Sequence, residues 1–307
     1  MKLQNMENPE SDGGSEETPF FQDQRQSGLH CDHDNRRNHS YPEIILGTFG
    51  LNGFSAVKTI LNAYRCGYRA LDTSSAYGNE RFIGMALSLL FLIGGSRKDL
   101  FVETKVSNAA QRRGDIYDEV LHQIKILRCG TLDMLLLHWP YPELYQESWK
   151  QMERLYRDGV VKQLGVCNFH RHHLEKLLET AEVVPAVDQV ERHPLLTQKE
   201  LHSFCSKHDI VLEAYSPVGR MHPMIVKNRQ LLELAGKYHC TVPQLILKWN
   251  IQGGVIPIPK AGSLKHLRQN IEIGSIDISE EDMALIDAQD CNFRVRYNPD
   301  ICDMTKL

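Results

Sequence analysis

From Tyr41 onward the chain alternates between two textures. Short apolar runs recur (EIILGT, YRALD, LFVETK, LDMLLLHW, VKQLGV, PAVDQV, IVLEAY and GVIPIP), and amphipathic stretches separate them. Apolar runs of roughly four to eight residues suit buried strands, while apolar positions spaced three and four apart suit helices laid on a sheet. Three helical stretches, FSAVKTILNAYRCG, DIYDEVLHQIKILRCG and QESWKQMERLYRDG, are expected to close on glycine at the C′ position, where a left-handed backbone is needed. Eight strand–helix units imply parallel pairing with right-handed crossovers. In a chain of 307 residues they predict an α/β fold, a single (β/α)8 TIM barrel. An open doubly wound sheet has the same unit count. It is disfavoured because no G-x-G-x-x-G follows the first run; GTFGLNG has the wrong spacing. The longest apolar run, Met85 to Ile93, is about half a bilayer span and reads as a buried helix face running into a loop at Gly94-Gly95.

Composition changes the picture at one end. Residues 1–40 are rich in Asn, Gln, Ser, Asp, Glu and Gly. Such a segment buries too little surface to offset its ordering entropy, so it is expected to be a disordered extension ahead of a barrel over 41–307. It has the character of neither a secretory nor a transit signal. Its His30, Cys31 and His33 lack a second cluster to close a tetrahedral metal site. A net charge of −4 with mixed signs suggests neither a nucleic-acid nor a membrane partner. The 8 cysteines are irregularly spaced and form no CxxC pair, which fits reduced thiols in the cytoplasm.

In a parallel barrel, reactive groups gather at the C-terminal ends of the strands. Asp72 ends the second run, Tyr77 lies in the loop after it, Lys105 ends the third run and His138 the fourth. Taken singly, each has a bland reading: a turn cap, a loop aromatic, a rim charge and a core histidine. Glu103 is expected to point away from Lys105. His170, His172 and His173 (HRHH) read as a solvated helix start, with His170 and His173 near each other, so no metal is expected.

The segment DTSSAYGNERFIG matches D-x-x-x-x-Y-x-N-E-x-x-x-G at Asp72, Tyr77, Asn79, Glu80 and Gly84. It resembles the strand-2 signature of the aldo-keto reductase family, and the resemblance extends over roughly 44–295. The likeness is to small bacterial and protozoan members, of the diketogulonate reductase or prostaglandin F synthase kind. It implies a catalytic tetrad of Tyr77, Asp72, Lys105 and His138 and NADP(H)-dependent, or NAD(H)-dependent, reduction of an aldehyde or ketone by a monomer. Tyr77 would deliver the proton, Lys105 would ease its loss, Asp72 would keep Lys105 charged, and His138 would orient the carbonyl. On the cofactor side the resemblance implies Cys167 (usually Ser), Asn168 and Gln189 around the nicotinamide carboxamide, Tyr215 stacked on its ring with Ser216 following, and Lys260, Arg268 and Asn270 at the far end. His266 and Gln269 stand where the family has Arg and Glu, which weakens the case for NADPH. Phe49 and Trp139, with Leu51 and Tyr141, are candidates for the substrate wall, and 291–307 for a cap over the mouth. Two other readings are open: a cofactor-binding regulatory barrel with little turnover, like channel-associated members, and an unrelated barrel hydrolase. The hydrolase needs paired carboxylates, for which the sequence offers only Asp72 and Glu103.

Overall fold

A computed structural model of the protein describes residues 41–306. The expectations for 1–40, including His30, Cys31 and His33, lie outside the described residues. The strands are β1 (Leu46–Gly47), β2 (Ala70–Asp72), β3 (Phe101–Val106), β4 (Met134–Leu137), β5 (Leu164–Cys167), β6 (Val187–Glu191), β7 (Val211–Tyr215) and β8 (Ile256–Ile258). They lie in sequence order in one sheet, each parallel to the next. The sheet's two edges meet. The Ile45 N–H donates to the Pro257 carbonyl at 3.1 Å and the Gly47 N–H to that of Pro259 at 3.0 Å. A Cβ on Gly47 would lie 3.2 Å from Ile258 Cγ2, so a bare Cα lets this seam draw tight. Each of the eight apolar runs overlaps one strand, and helices separate successive strands, giving the expected (β/α)8 barrel.

The helices Gly53–Arg65 and Tyr145–Arg157 end as expected, with Gly67 (φ 107°) and Gly159 (φ 69°) taking the left-handed turn. The helix Ile116–Leu127 does not. It stops on Arg128 at φ 54°, two residues short of Gly130. A left-handed non-glycine residue costs roughly 1–2 kcal/mol. Arg97 offsets this by donating to the carbonyls of Cys129 (2.7 Å) and Thr131 (2.5 Å), fixing the chain for entry into β4. The apolar run 85–93 also outlasts its buried face. In the helix Glu80–Leu92, Ile83, Ala86, Leu87 and Leu90 face the core, but Leu92 is 81% exposed.

Gly84, the last residue of the signature, has a packing role. A Cβ there would sit 2.0 Å from the backbone oxygen of Ile126, so the helices Glu80–Leu92 and Ile116–Leu127 touch through bare backbone. Gly84→Ala is expected to cost about 3 kcal/mol, the upper end of ordinary overpacking, and to lower Tm by roughly 5–10 °C in circular-dichroism melts. Gly236→Ala, on a helix with no atom within 4 Å of the new methyl, should leave Tm level or slightly higher. Equal Tm values for the two variants would contradict the contact.

Candidate active site

Three of the five signature residues build the platform for the other two. Asn79 donates to the carbonyls of Thr48 (2.8 Å) and Leu51 (2.9 Å) and accepts from Thr73 Oγ1 (3.2 Å), tying the loop after β1 to the loop after β2. Glu80 accepts from the outward-facing Thr104 of β3 (2.9 Å). With Gly84 these contacts fix the short turn Ser75–Tyr77, which Ser74 Oγ caps by accepting the Ala76 N–H at 3.3 Å.

Lys105 is fully buried on the inner face of β3, and its ammonium donates to Asp72 Oδ1 and, at 3.0 Å, to the carbonyl of Thr73. Nζ lies 5.3 Å from the centroid of the Tyr77 ring. Tyr77 meets Phe49 edge-on at 5.1 Å and His138 at 6.0 Å. The four predicted tetrad residues thus converge at one point of the barrel mouth. Burial pulls the Lys105 ammonium toward losing its proton, but Asp72, then Tyr77, hold its pKa well above the usual lysine value. Burial raises the Tyr77 phenol above its ordinary value, against the pull of Lys105, so it carries its proton at neutral pH. His138 is driven down to about 3 by burial, then by Lys105 and Arg296, and is a neutral imidazole. Ser74 Oγ lies 3.3 Å from His138 Nδ1. A Ser74 hydroxyl that donates to Nδ1 leaves Nε2 as the imidazole's donor.

Beneath this layer lies a group the sequence did not reveal. Glu103 shares the inner face of β3 with Lys105, two residues along, contrary to the expectation that it would point away; alternate residues of a strand face the same side. Gln189 Nε2 lies within 3.1 Å of Asp72 Oδ1 and Glu103 Oε1 and 3.0 Å of Glu213 Oε2. Paired carboxylates therefore do exist, as Glu103 and Glu213, but both are sealed inside the barrel. That is no place for a hydrolytic water. Burial, then their mutual repulsion and Asp72, raises Glu103; burial, then Asp72, raises Glu213.

The cofactor-side candidates are partly brought together. Asn168, left-handed at φ 65°, donates to the His138 carbonyl at 3.0 Å and accepts the Tyr215 phenol at 2.7 Å. Gln189 spends its amide donors on the carboxylates below, which leaves only Oε1 facing Cys167 Sγ at 3.8 Å. Cys167 is a buried thiol that also receives the Asn168 amide at 3.2 Å. Ser216 follows Tyr215 in a left-handed turn (φ 48°). Lys260 reaches over the loop after β1: a Cβ on Gly50 would lie 3.2 Å from its Nζ. Arg268 is exposed and Asn270 buried. Two positions apart on a helix, they do not share a face. Phe49 is half-exposed at the mouth, whereas Trp139 is buried and stacks behind His138 at 6.2 Å.

A family model for the aldo/keto reductases matches residues 43–290. The chain belongs to the aldo/keto reductase family. Glyoxal reductase of Bacillus subtilis (strain 168) is 39% identical over 260 residues, 84% of this chain and 92% of that protein. Methylglyoxal reductase DkgA of Escherichia coli (strain K12) is 31% identical over 261 residues, 84% of this chain and 93% of that one. Among solved structures, MGS-M4, an aldo-keto reductase enzyme from a Medee basin deep-sea metagenome library, superposes with a TM-score of 0.82. It is 32% identical, and the match covers 87% of this chain and 98% of that one. The protein is accordingly an oxidoreductase acting on carbonyls, and the regulatory-barrel reading is not favoured. Among the described residues no helix is long and apolar enough to cross a membrane.

In this aldo/keto reductase the buried carboxyl pair leaves a thermodynamic mark. The folded chain holds protons that the unfolded chain releases above the ordinary carboxyl value of 4.5. Stability is therefore expected to fall as pH rises through that value toward about 7. Glu103→Gln removes one of the two acids. Between about pH 5 and about pH 8 its Tm should fall less than that of the unsubstituted protein, by roughly 2–4 °C for each kcal/mol recovered. Parallel Tm profiles for the two proteins would contradict a protonated pair.

Proposed function

We propose that this chain reduces small aldehydes and α-dicarbonyls to alcohols with NADPH, and that Tyr77 delivers the proton. The observation that carries this reading is a protonated phenol beside an ammonium that Asp72 keeps charged, open to the barrel mouth. Reduction leaves negative charge on the carbonyl oxygen, which takes its proton from the phenol. The resulting phenolate is stabilised by Lys105. For unit charges about 4 Å apart at an effective dielectric near 20, such an attraction is about 4 kcal/mol, or roughly three pKa units. Neutral His138 donates a hydrogen bond to the same oxygen and fixes the carbonyl's orientation. Phe49, half-exposed at the mouth, supplies the apolar wall.

The donor set at the mouth suits a nicotinamide dinucleotide, which supplies the hydride when bound. Among the described residues no carboxylate lies within ion-pair distance of Lys260 or Arg220. Arg220 lies 6.0 Å over the Phe49 ring. Unpaired cations of this kind bind phosphate oxygens and support NADP(H) over NAD(H). Asn168 and Tyr215 would hold the nicotinamide, with Gln189 contributing an acceptor only. The names of the two reductases above point to short dicarbonyls as the substrates to try first. The seven described cysteines are free thiols, in keeping with a cytoplasmic enzyme, and one chain carries the whole tetrad, so a monomer suffices.

Purified protein is expected to consume NADPH steadily with methylglyoxal or phenylglyoxal, and to bind NADPH more tightly than NADH. Tyr77→Phe should lower kcat by roughly 100-fold or more and leave NADPH affinity, measured by fluorescence titration, within about twofold. A Tyr77→Phe enzyme with near-normal kcat would overturn the assignment of the proton donor.

A further inference from the structure

We propose that His172, His173 and Asp300 form a site for a divalent ion of the zinc class, with His170 as the residue that orients Asp300. In the sequence the acid nearest HRHH is Glu175, which is taken up by Arg171 at 2.8 Å. The fold supplies another from 130 positions away, on the segment that follows the last helix. The ligand atoms of His170, His172, His173 and Asp300 all lie within 4.8 Å of one another.

The spacing fits coordination. Zinc takes imidazole nitrogen at about 2.0–2.1 Å and carboxylate oxygen at about 2.0–2.2 Å, so two ligand atoms of a tetrahedral site lie roughly 3.4 Å apart. Asp300 Oδ1 is 3.4 Å from His172 Nε2 and 3.9 Å from His173 Nε2. Two imidazoles and one carboxylate fill three positions and leave a fourth for water. Imidazole with carboxylate favours zinc and its neighbours over magnesium or calcium.

His170 is already committed elsewhere. Arg294 donates to its Nε2 at 3.1 Å, so its proton sits on Nδ1 and is donated to Asp300 Oδ2 at 2.8 Å. The carboxylate is thereby held with Oδ1 turned to the other two rings, as hydrogen-bonded partners commonly hold metal ligands. Two features work against the ion. Arg294 brings a positive charge near the site. His173 Nδ1 accepts the His170 N–H at 3.1 Å, so coordination through Nε2 moves the ring proton to Nδ1 and gives up that bond at the start of the helix Arg171–Leu178.

The site would reinforce the tie that His170 already makes to the C-terminal segment. Glu191 already accepts the N–H groups of Val295 (2.6 Å) and Arg296 (3.0 Å), and Asn108 donates to the Met304 carbonyl at 3.1 Å. Asp300 lies between these anchors in sequence. Arg296, on the same segment, lies 5.6 Å over Phe49, so the ion would fix a strap that borders the mouth.

The test is calorimetric titration of zinc chloride into the full, untagged chain after chelator treatment, beside His172→Ala and Asp300→Asn. His172 is largely exposed, so its loss should leave the fold intact. The unsubstituted protein is expected to bind one more equivalent than either variant, or to bind it roughly tenfold or more tightly. Cobalt(II) should give the intense visible bands of a four-coordinate ion in the unsubstituted protein alone, and zinc should slow proteolysis of the C-terminal segment only there. Comparison by variant separates this site from His30, Cys31 and His33. Equal stoichiometry and affinity in all three proteins, or no zinc uptake by the unsubstituted chain, would overturn the proposal and leave the cluster as a hydrogen-bonded clasp.

Discussion

The structure turns on one buried ion pair, Lys105 with Asp72. An ammonium sealed inside a barrel would lose its proton to escape the cost of desolvation. Asp72 and the Thr73 carbonyl, both donated to by the same nitrogen, prevent this. The pairing follows from register. β2 and β3 run side by side with Asp72 opposite Glu103, which sets Lys105 one inward-facing step further toward the mouth.

The protonation of the neighbours follows from the pair. Burial, then the charged Lys105, depresses His138 and keeps it neutral, and Lys105 draws the Tyr77 phenol toward ionisation without overcoming the effect of burial. The phenol therefore carries a proton it can give away beside a cation that favours the phenolate left behind. Below, three carboxyl groups crowd around one ammonium and one amide. Burial resolves the excess negative charge by retaining protons on the Glu103–Glu213 pair. Gln189 thereby spends its amide donors on the floor of the barrel, which leaves it only an acceptor, Oε1, on the Cys167 side.

The barrel and the meeting of the four candidate residues were legible because both are written locally. Each strand is a contiguous apolar run, and Asp72, Lys105 and His138 stand at the ends of three of them. Glu103 and Glu213 were not, since their meeting through Gln189 joins β3, β6 and β7 across a barrel that exists only once the seam at Gly47 closes. The acid that completes HRHH was hidden for the same reason. The helix end at Arg128 misled because Arg97, thirty-one residues earlier, holds the carbonyls that a glycine would otherwise release. The exposed tip of the apolar run at Leu92 shows composition outlasting periodicity: hydrophobic residues continue after the helix has turned away from the core.

The most direct test of the account is nitrogen-15 NMR of the lysine side chains, with Lys105→Met to assign the buried signal. The account predicts that the Lys105 resonance keeps the shift of an ammonium across the neutral and mildly alkaline range, and that Asp72→Asn brings its titration down toward neutrality. A Lys105 signal that already reports a neutral amine at neutral pH in the unsubstituted protein, or one that Asp72→Asn does not move, would contradict it.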